Sequence, residues 1–275
     1  MTSVAIVHPS RAAYWQHAVW RMLPALPFLA VLLGWSLYWW AARPSAATLP
    51  PVGAVVQVIG ELAGDGRLAQ HMLASLWRLV LGAGLGIITG VVGGFLAGLY
   101  RPLAEFLNPL VVFFSALSGI IWLPLMIGWL GIGTALAVFL IWNTVFFIVF
   151  QNTVLGVQLI PELLEQGVSC LGAGRLEIIR SVILPGALPY VLTGIRSGLG
   201  FGWRALIAAE LVGAPNGLGQ MIFNAAEYHR SDIIIAGCII IGTIAVTMDR
   251  WLLYPIERRT VQRWGLITDA EKEGV

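Results

Sequence analysis

Runs of about twenty residues almost free of charge recur along this chain, and they limit its fold more than any other feature. Six are legible, at 23–42, 76–99, 107–127, 135–157, 188–212 and 233–253. Each is long enough to cross a bilayer as a helix, and about twice as long as a membrane strand needs to be. Within hydrocarbon every backbone polar group must be satisfied internally, which leaves helices for runs of this length. The expectation is an all-α, polytopic membrane protein with about six transmembrane helices. Composition agrees: charged residues make up 11% of the chain and the mean hydropathy is +0.84, whereas a soluble domain carries about 25% charge. The first run is long enough to span, so the N-terminus reads as a span and not as a cleaved signal.

Arginine placement orients the spans. The chain has 15 Arg and one Lys, Lys272. With both termini on one side, that side holds Arg11, Arg21, Arg101, Arg175, Arg180, Arg250, Arg258, Arg259, Arg263 and Lys272. The other side holds Arg43, Arg67 and Arg230, with Arg78 at the edge of the second span. The positive-inside rule makes both termini cytoplasmic. This gives a cytoplasmic segment 1–22, one transmembrane domain 23–260 with a cytoplasmic loop at 158–187, and a cytoplasmic tail 261–275. Pro50 and Pro51 end the first helix, and 52–73 reads as a short amphipathic surface helix. A net charge of +2 gives no reason to expect nucleic acid. Cys170 and Cys238 read as two unpaired thiols, with no disulfide framework.

Glycine recurs every fourth residue in the second span, at Gly82, Gly86, Gly90, Gly94 and Gly98, and again at Gly194, Gly198 and Gly202 in the fifth. Residues four apart share a helix face, and a glycine face lets another backbone approach closely. Such a face serves either packing within one subunit or a surface that repacks between two states.

Several chemistries are absent. No G-x-x-x-x-G-K-[ST] is present, so no phosphate-cradling loop is encoded. "GAGLG" at Gly82 and "GLGFG" at Gly198 lie inside spans and follow no strand. His8, His17, His71 and His229 show no metal-ligand spacing. Ser118 has no histidine in any span to activate it. No catalytic residue and no metal site is expected. What remains is polar groups inside spans, which are costly there and mark a cavity or a partner. They include Arg196, Arg204, Glu210 and Asn143, with Trp122 and Trp203 beside them as aromatic candidates. A guanidinium next to an aromatic ring at membrane depth suits an anionic solute. These six form the candidate translocation pathway.

One polar stretch interrupts the apolar pattern, "LEQGVSCLGAGRLEIIRSVILPGALPYV" at 164–191. Its apolar residues fall at helical spacing up to Leu171, Gly172 and Gly174 permit a turn, and a second helix follows over 175–184. Pro185 and Pro189 are expected to bend the chain into the fifth span. A structured helix-turn-helix in a cytoplasmic loop fits a groove on a partner.

This segment resembles the EAA loop of bacterial ABC importer permeases, whose pattern is E-A-A, three residues, Gly, nine residues, then I-x-L-P. Gly172 occupies the glycine, and "VILP" ending at Pro185 occupies the close. The E-A-A is replaced by Gln166-Gly167-Val168, with Glu165 one place early. "WLPLMIGWLGIG" from Trp122, "LPGALPYVLTGIRSGLGFGWRALIAAEL" from Leu184 and "GLGQMIFNAAEYHRSDIIIAG" from Gly217 resemble the nitrate/sulfonate/taurine branch of these binding-protein-dependent permeases. The resemblance implies a type I importer fold and one half of a homodimer in a bacterial inner membrane. It implies two cytoplasmic ATPase subunits, which bind the ATP and Mg while this chain binds no cofactor. They would grip Glu165, Gln166, Cys170, Leu171, Gly172 and Ala173, with Pro185 closing the motif. It further implies an extracytoplasmic solute-binding protein and alternating access for a small solute such as a sulfonate, taurine or nitrate. A stand-alone channel or secondary carrier, and an intramembrane enzyme, are the competing classes.

Overall fold

The computed structural model describes residues 26–45, 47–117 and 119–253. The segment 1–22, the start of the first run, Ser118 and the tail 261–275 lie outside the described residues. Every regular element among the described residues is helical. In chain order these are α1 (Leu26–Ala42), α2 (Val52–Gly64), α3 (Arg67–Leu99) and α4 (Arg101–Ala116). Then come α5 (Leu123–Leu130), α6 (Thr134–Gln158), α7 (Glu162–Cys170), α8 (Arg175–Gly213), α9 (Leu218–Glu227) and α10 (Ser231–Met248). Four of them, α3, α6, α8 and α10, are long and apolar enough to cross a membrane alone, and α1 is a shorter apolar helix at the edge of the described residues.

The core is built on α6, and glycine explains how. A methyl placed on Gly82, Gly86, Gly90, Gly94 or Gly98 would lie 2.6–3.0 Å from side-chain or backbone atoms of α6. The β-branched residues that fill these gaps are Ile141, Val145, Val149, Thr153 and Val157. Each step of four along α3 is matched by a step of four along α6 in the same direction, so the two helices run parallel. Val145 and Val149 of the same α6 ridge also meet α8, which runs in the opposite direction. There Gly194 faces Asn152, Gly198 faces Val145 and Val149, and Gly202 faces Val145. In lipid no hydrophobic force draws helices together, so such close backbone approach supplies the association. Thr153 hides its hydroxyl by donating to the Val149 carbonyl at 2.7 Å. The opposite face of α3 carries Val80, Leu85, Ile88, Val92 and Leu96, all exposed, which suits lipid contact.

Three local expectations change. The third run is not one straight helix: α4 ends at Ala116, Leu117 is extended, and a 3-10 turn (Gly119–Trp122) leads into α5 at 86° to α4. Pro124, at the start of α5, is pre-organised for a new helix. The amphipathic segment 52–73 is divided at Gly66, whose φ of +72° suits glycine, and α3 starts directly after it. Pro185 and Pro189 do not interrupt α8. A single π turn, Ile179–Ile183, precedes Pro185 and resets the hydrogen-bond ladder, so the helix runs on to Gly213.

Candidate functional site

The polar loop folds as a helix, a turn and the start of α8. Pro161 precedes α7 in extended backbone, and Glu162 and Glu165 occupy the first turn, where the helix dipole favours negative charge. Gly172 ends the turn at φ +90°, with its amide bonded to the Ser169 carbonyl at 2.9 Å. A residue with a Cβ is strained in that conformation. Leu163 and Leu171 are 77% and 88% exposed. Gln166, Cys170 and Gly172 are exposed too, and Ala173 and Pro185 are half-buried. Two contacts fix the loop to the bundle. The Arg175 guanidinium lies 5.2 Å from the centre of the Tyr100 ring, and Arg101 reaches Glu162 at 3.4 Å. Glu165 and Gln166 line a groove of about 760 Å³ under the loop.

Further along α8 lies a second cavity, of about 520 Å³, between the α4–α5 break, α6 and α8. Asn143, Phe147 and Gln151, four residues apart, line it from α6, and Phe201 and Arg204 line it from α8. Asn143 is only 7% exposed, yet its amide has no hydrogen-bond partner among the described residues. The Arg204 guanidinium sits 5.0 Å from the centre of the Phe201 ring and meets no carboxylate among the described residues. Two of the six pathway candidates, Asn143 and Arg204, therefore meet here. Trp122 packs behind the wall, its ring 5.7 Å from Phe114. Trp203 is buried in the α3–α6–α8 core. Arg196 reaches Asp249 at 3.2 Å. Glu210 is fully buried elsewhere.

With this arrangement in view, similarity to known proteins decides the class. Residues 82–260 match the family described as "Binding-protein-dependent transport system inner membrane component". The chain belongs to this family. It is 34% identical to the taurine transport system permease TauC of Escherichia coli K12 over 87% of this chain and 90% of that protein. It is 32% identical to the bicarbonate transport system permease CmpB of Synechococcus elongatus, over 73% and 70% respectively. In fold it is similar to the inward-facing MetNI methionine ABC transporter, with a TM-score of 0.63 at 20% identity, covering 73% of this chain and 97% of that one. An amino acid ABC transporter gives a TM-score of 0.60 at 16% identity, over 73% and 97%. The protein is thus an ABC-type permease subunit of the inner membrane, a transporter in class and not an enzyme.

In this permease Glu210 anchors a buried lock at the end of the bundle opposite the loop. Its carboxylate accepts from Arg78 Nη1 at 2.7 Å, from Ser75 Oγ at 2.8 and 2.9 Å, and from the Gly219 amide at 3.0 Å. Arg78 also donates to the Asn216 carbonyl at 2.6 Å and to its side-chain oxygen. The Ser75 hydroxyl accepts from the Leu218 amide at 2.9 Å, and His71 Nδ1 accepts from the Gly217 amide at 3.1 Å. The open amides at the start of α9 are thereby capped by side chains from α3 and α8. A side chain at Gly217 would run into the Glu210 carboxylate. The sequence offers little to find this lock, because Arg78 and Glu210 lie 132 residues apart.

Proposed function

We propose that the chain forms the translocation pathway of an ATP-driven importer for a small anion. It would work as a homodimer with two cytoplasmic ATPase subunits and an extracytoplasmic solute-binding protein, with both its own termini in the cytoplasm. The carrying observation is mechanical: the second half of the exposed loop is the first turn of α8, the same helix that lines the cavity of about 520 Å³. A partner that displaces Leu163, Leu164 and Leu171 moves α7 and, through Arg175 and the continuous α8, the cavity wall. Closure of ATP-loaded partners would then open the path alternately to the two sides, a rigid-body transition. Relatives named for taurine and for bicarbonate, and Arg204, which has no carboxylate partner among the described residues, support an anionic solute.

Co-purification with the ATPase and binding protein tests this. A stable complex whose ATP hydrolysis rises with solute-loaded binding protein is the expected result. Solute flux through the permease alone, with no complex formed, would replace the importer by a channel or carrier.

Gly172→Trp tests the loop. A non-glycine residue at this positive φ costs about 1–2 kcal/mol, within reach of a folded protein, yet it reshapes the turn that meets the partner. In proteoliposomes ATP hydrolysis should continue while uptake falls to background. Uptake at the wild-type rate would remove the loop from the coupling path.

A further inference from the structure

The cavity between the α4–α5 break, α6 and α8 has a chemical bias beyond a general preference for anions. Its walls are aromatic and aliphatic: Phe114, Phe147 and Phe201 with Leu117, Ile120 and Leu140. Its two hydroxyls are already used, Ser115 donating to the Val112 carbonyl at 3.1 Å and Thr144 to the Leu140 carbonyl at 2.9 Å. Three polar side chains there have no hydrogen-bond or ion-pair partner among the described residues: Asn143, Gln151 and Arg204. Asn143, at 7% exposure, lines this space with no hydrogen-bond partner among the described residues. The protein therefore holds one cation and two amides ready on an otherwise apolar surface.

We propose that this cavity is a binding station for an organic anion with an apolar body, a sulfonate or carboxylate, and not for a small inorganic anion. The acid group pairs with the Arg204 guanidinium and receives hydrogen bonds from the Asn143 and Gln151 amides. The hydrocarbon body lies against the phenylalanine rings and gains by leaving water. Nitrate or bicarbonate gains nothing from those rings. It would give up its hydration shell for one guanidinium and two amides, in a space of a size suited to a larger molecule. The station's place on an import path rests on the importer reading above, whereas its selectivity rests on the cavity itself.

The test uses the assembled permease–ATPase complex in nanodiscs without binding protein, so that only binding to the membrane subunits is read. Radiolabelled 1-pentanesulfonate is the probe, with benzenesulfonate, nitrate and bicarbonate as competitors. Saturable binding, displaced by benzenesulfonate at concentrations about 10-fold or more below those of the inorganic anions, is expected. Arg204→Gln and Asn143→Asp should each weaken binding about 10-fold or more, the loss expected for a hydrogen bond to a charged group. Arg204→Lys, which keeps the charge, should lose less. Arg204 is exposed, so its variants should remain monodisperse. Equal competition by nitrate, no saturable binding, or wild-type affinity in both Arg204→Gln and Asn143→Asp would each overturn the proposal. ATP-driven uptake into proteoliposomes separates the two readings. Uptake by the wild type without selective binding removes the station and leaves the importer. Selective binding without uptake in any condition removes the importer and leaves the site.

Discussion

Replacing Glu210 with alanine should cost about 3–5 kcal/mol, the penalty for leaving one member of a buried ion pair alone. Arg78 is 2% exposed, so its charge has no route to water once the carboxylate is gone. The loss spreads further, because the Gly219 amide and the Ser75 hydroxyl lose their acceptor in the same step. Stability of a folded protein is about 5–15 kcal/mol in total, so one substitution removes a large share of it. The yield of monodisperse protein and the thermal midpoint in detergent should both fall sharply. Arg78→Ala should do the same. The double variant Arg78→Leu with Glu210→Leu should recover much of the loss, since apolar replacements of similar volume often substitute for a buried pair. By contrast Arg101 and Glu162 are both highly exposed, and breaking their pair should cost less than about 1 kcal/mol. A Glu210→Ala variant with the wild-type midpoint would reduce the lock to a geometry without energetic weight.

What the sequence made legible follows from how local each signal is. Run length alone placed α3, α6, α8 and α10, because the bilayer sets a minimum that no soluble packing requires. The loop turn was legible at Gly172, since a glycine between two amphipathic stretches marks a positive φ. The fate of the prolines was not. Pro109 sits inside α4 without ending it, while the break falls at Leu117, a residue with no breaker character. Pro185 follows a π turn at Ile179–Ile183 and Pro189 sits inside the helix, and neither ends it. A ladder rearranged by one residue leaves no mark in composition. For the polar residues the divide is the same. Asn143, Phe147 and Gln151 share a face by spacing alone, so half the cavity was open to reading. Glu210 and Arg196 read as equals of Arg204, yet one is in the lock and the other reaches Asp249, because their partners are distant in sequence.

Gly94→Leu should abolish accumulation of folded protein, and even Gly94→Ala should lower the thermal midpoint. A Cβ at position 94 would stand 2.6 Å from the Thr153 Cβ and 2.9 Å from the Phe150 carbonyl oxygen, and neither can swing away. Overpacking a core by a methylene or so costs about 1–3 kcal/mol, and a leucine adds several. Gly84 supplies the control. It lies on the same helix, has nothing within 4 Å of an added Cβ, and is helical. Gly84→Ala should therefore stabilise the protein by up to about 1 kcal/mol through helix propensity. Opposite signs at positions 84 and 94 would establish the seam; equal shifts at the two would dissolve it into general glycine effects. The seam also bears on whether this face slides. Each of the five seam glycines of α3 (Gly82, Gly86, Gly90, Gly94 and Gly98) is filled by a stiff residue of α6, four of the five being Ile or Val. Moving α6 by one residue along α3 would take these branched side chains out of the glycine gaps and drive them into larger neighbours. α8 packs against the same α6 residues Ile141, Val145 and Val149 through Gly198 and Gly202, and against Asn152 through Gly194, so a shift there meets the same obstacle. The three helices α3, α6 and α8 thus move as one block. Any change of access must arise at the surfaces this block presents, at the α4–α5 break and at the exposed face of α8 that carries Arg204.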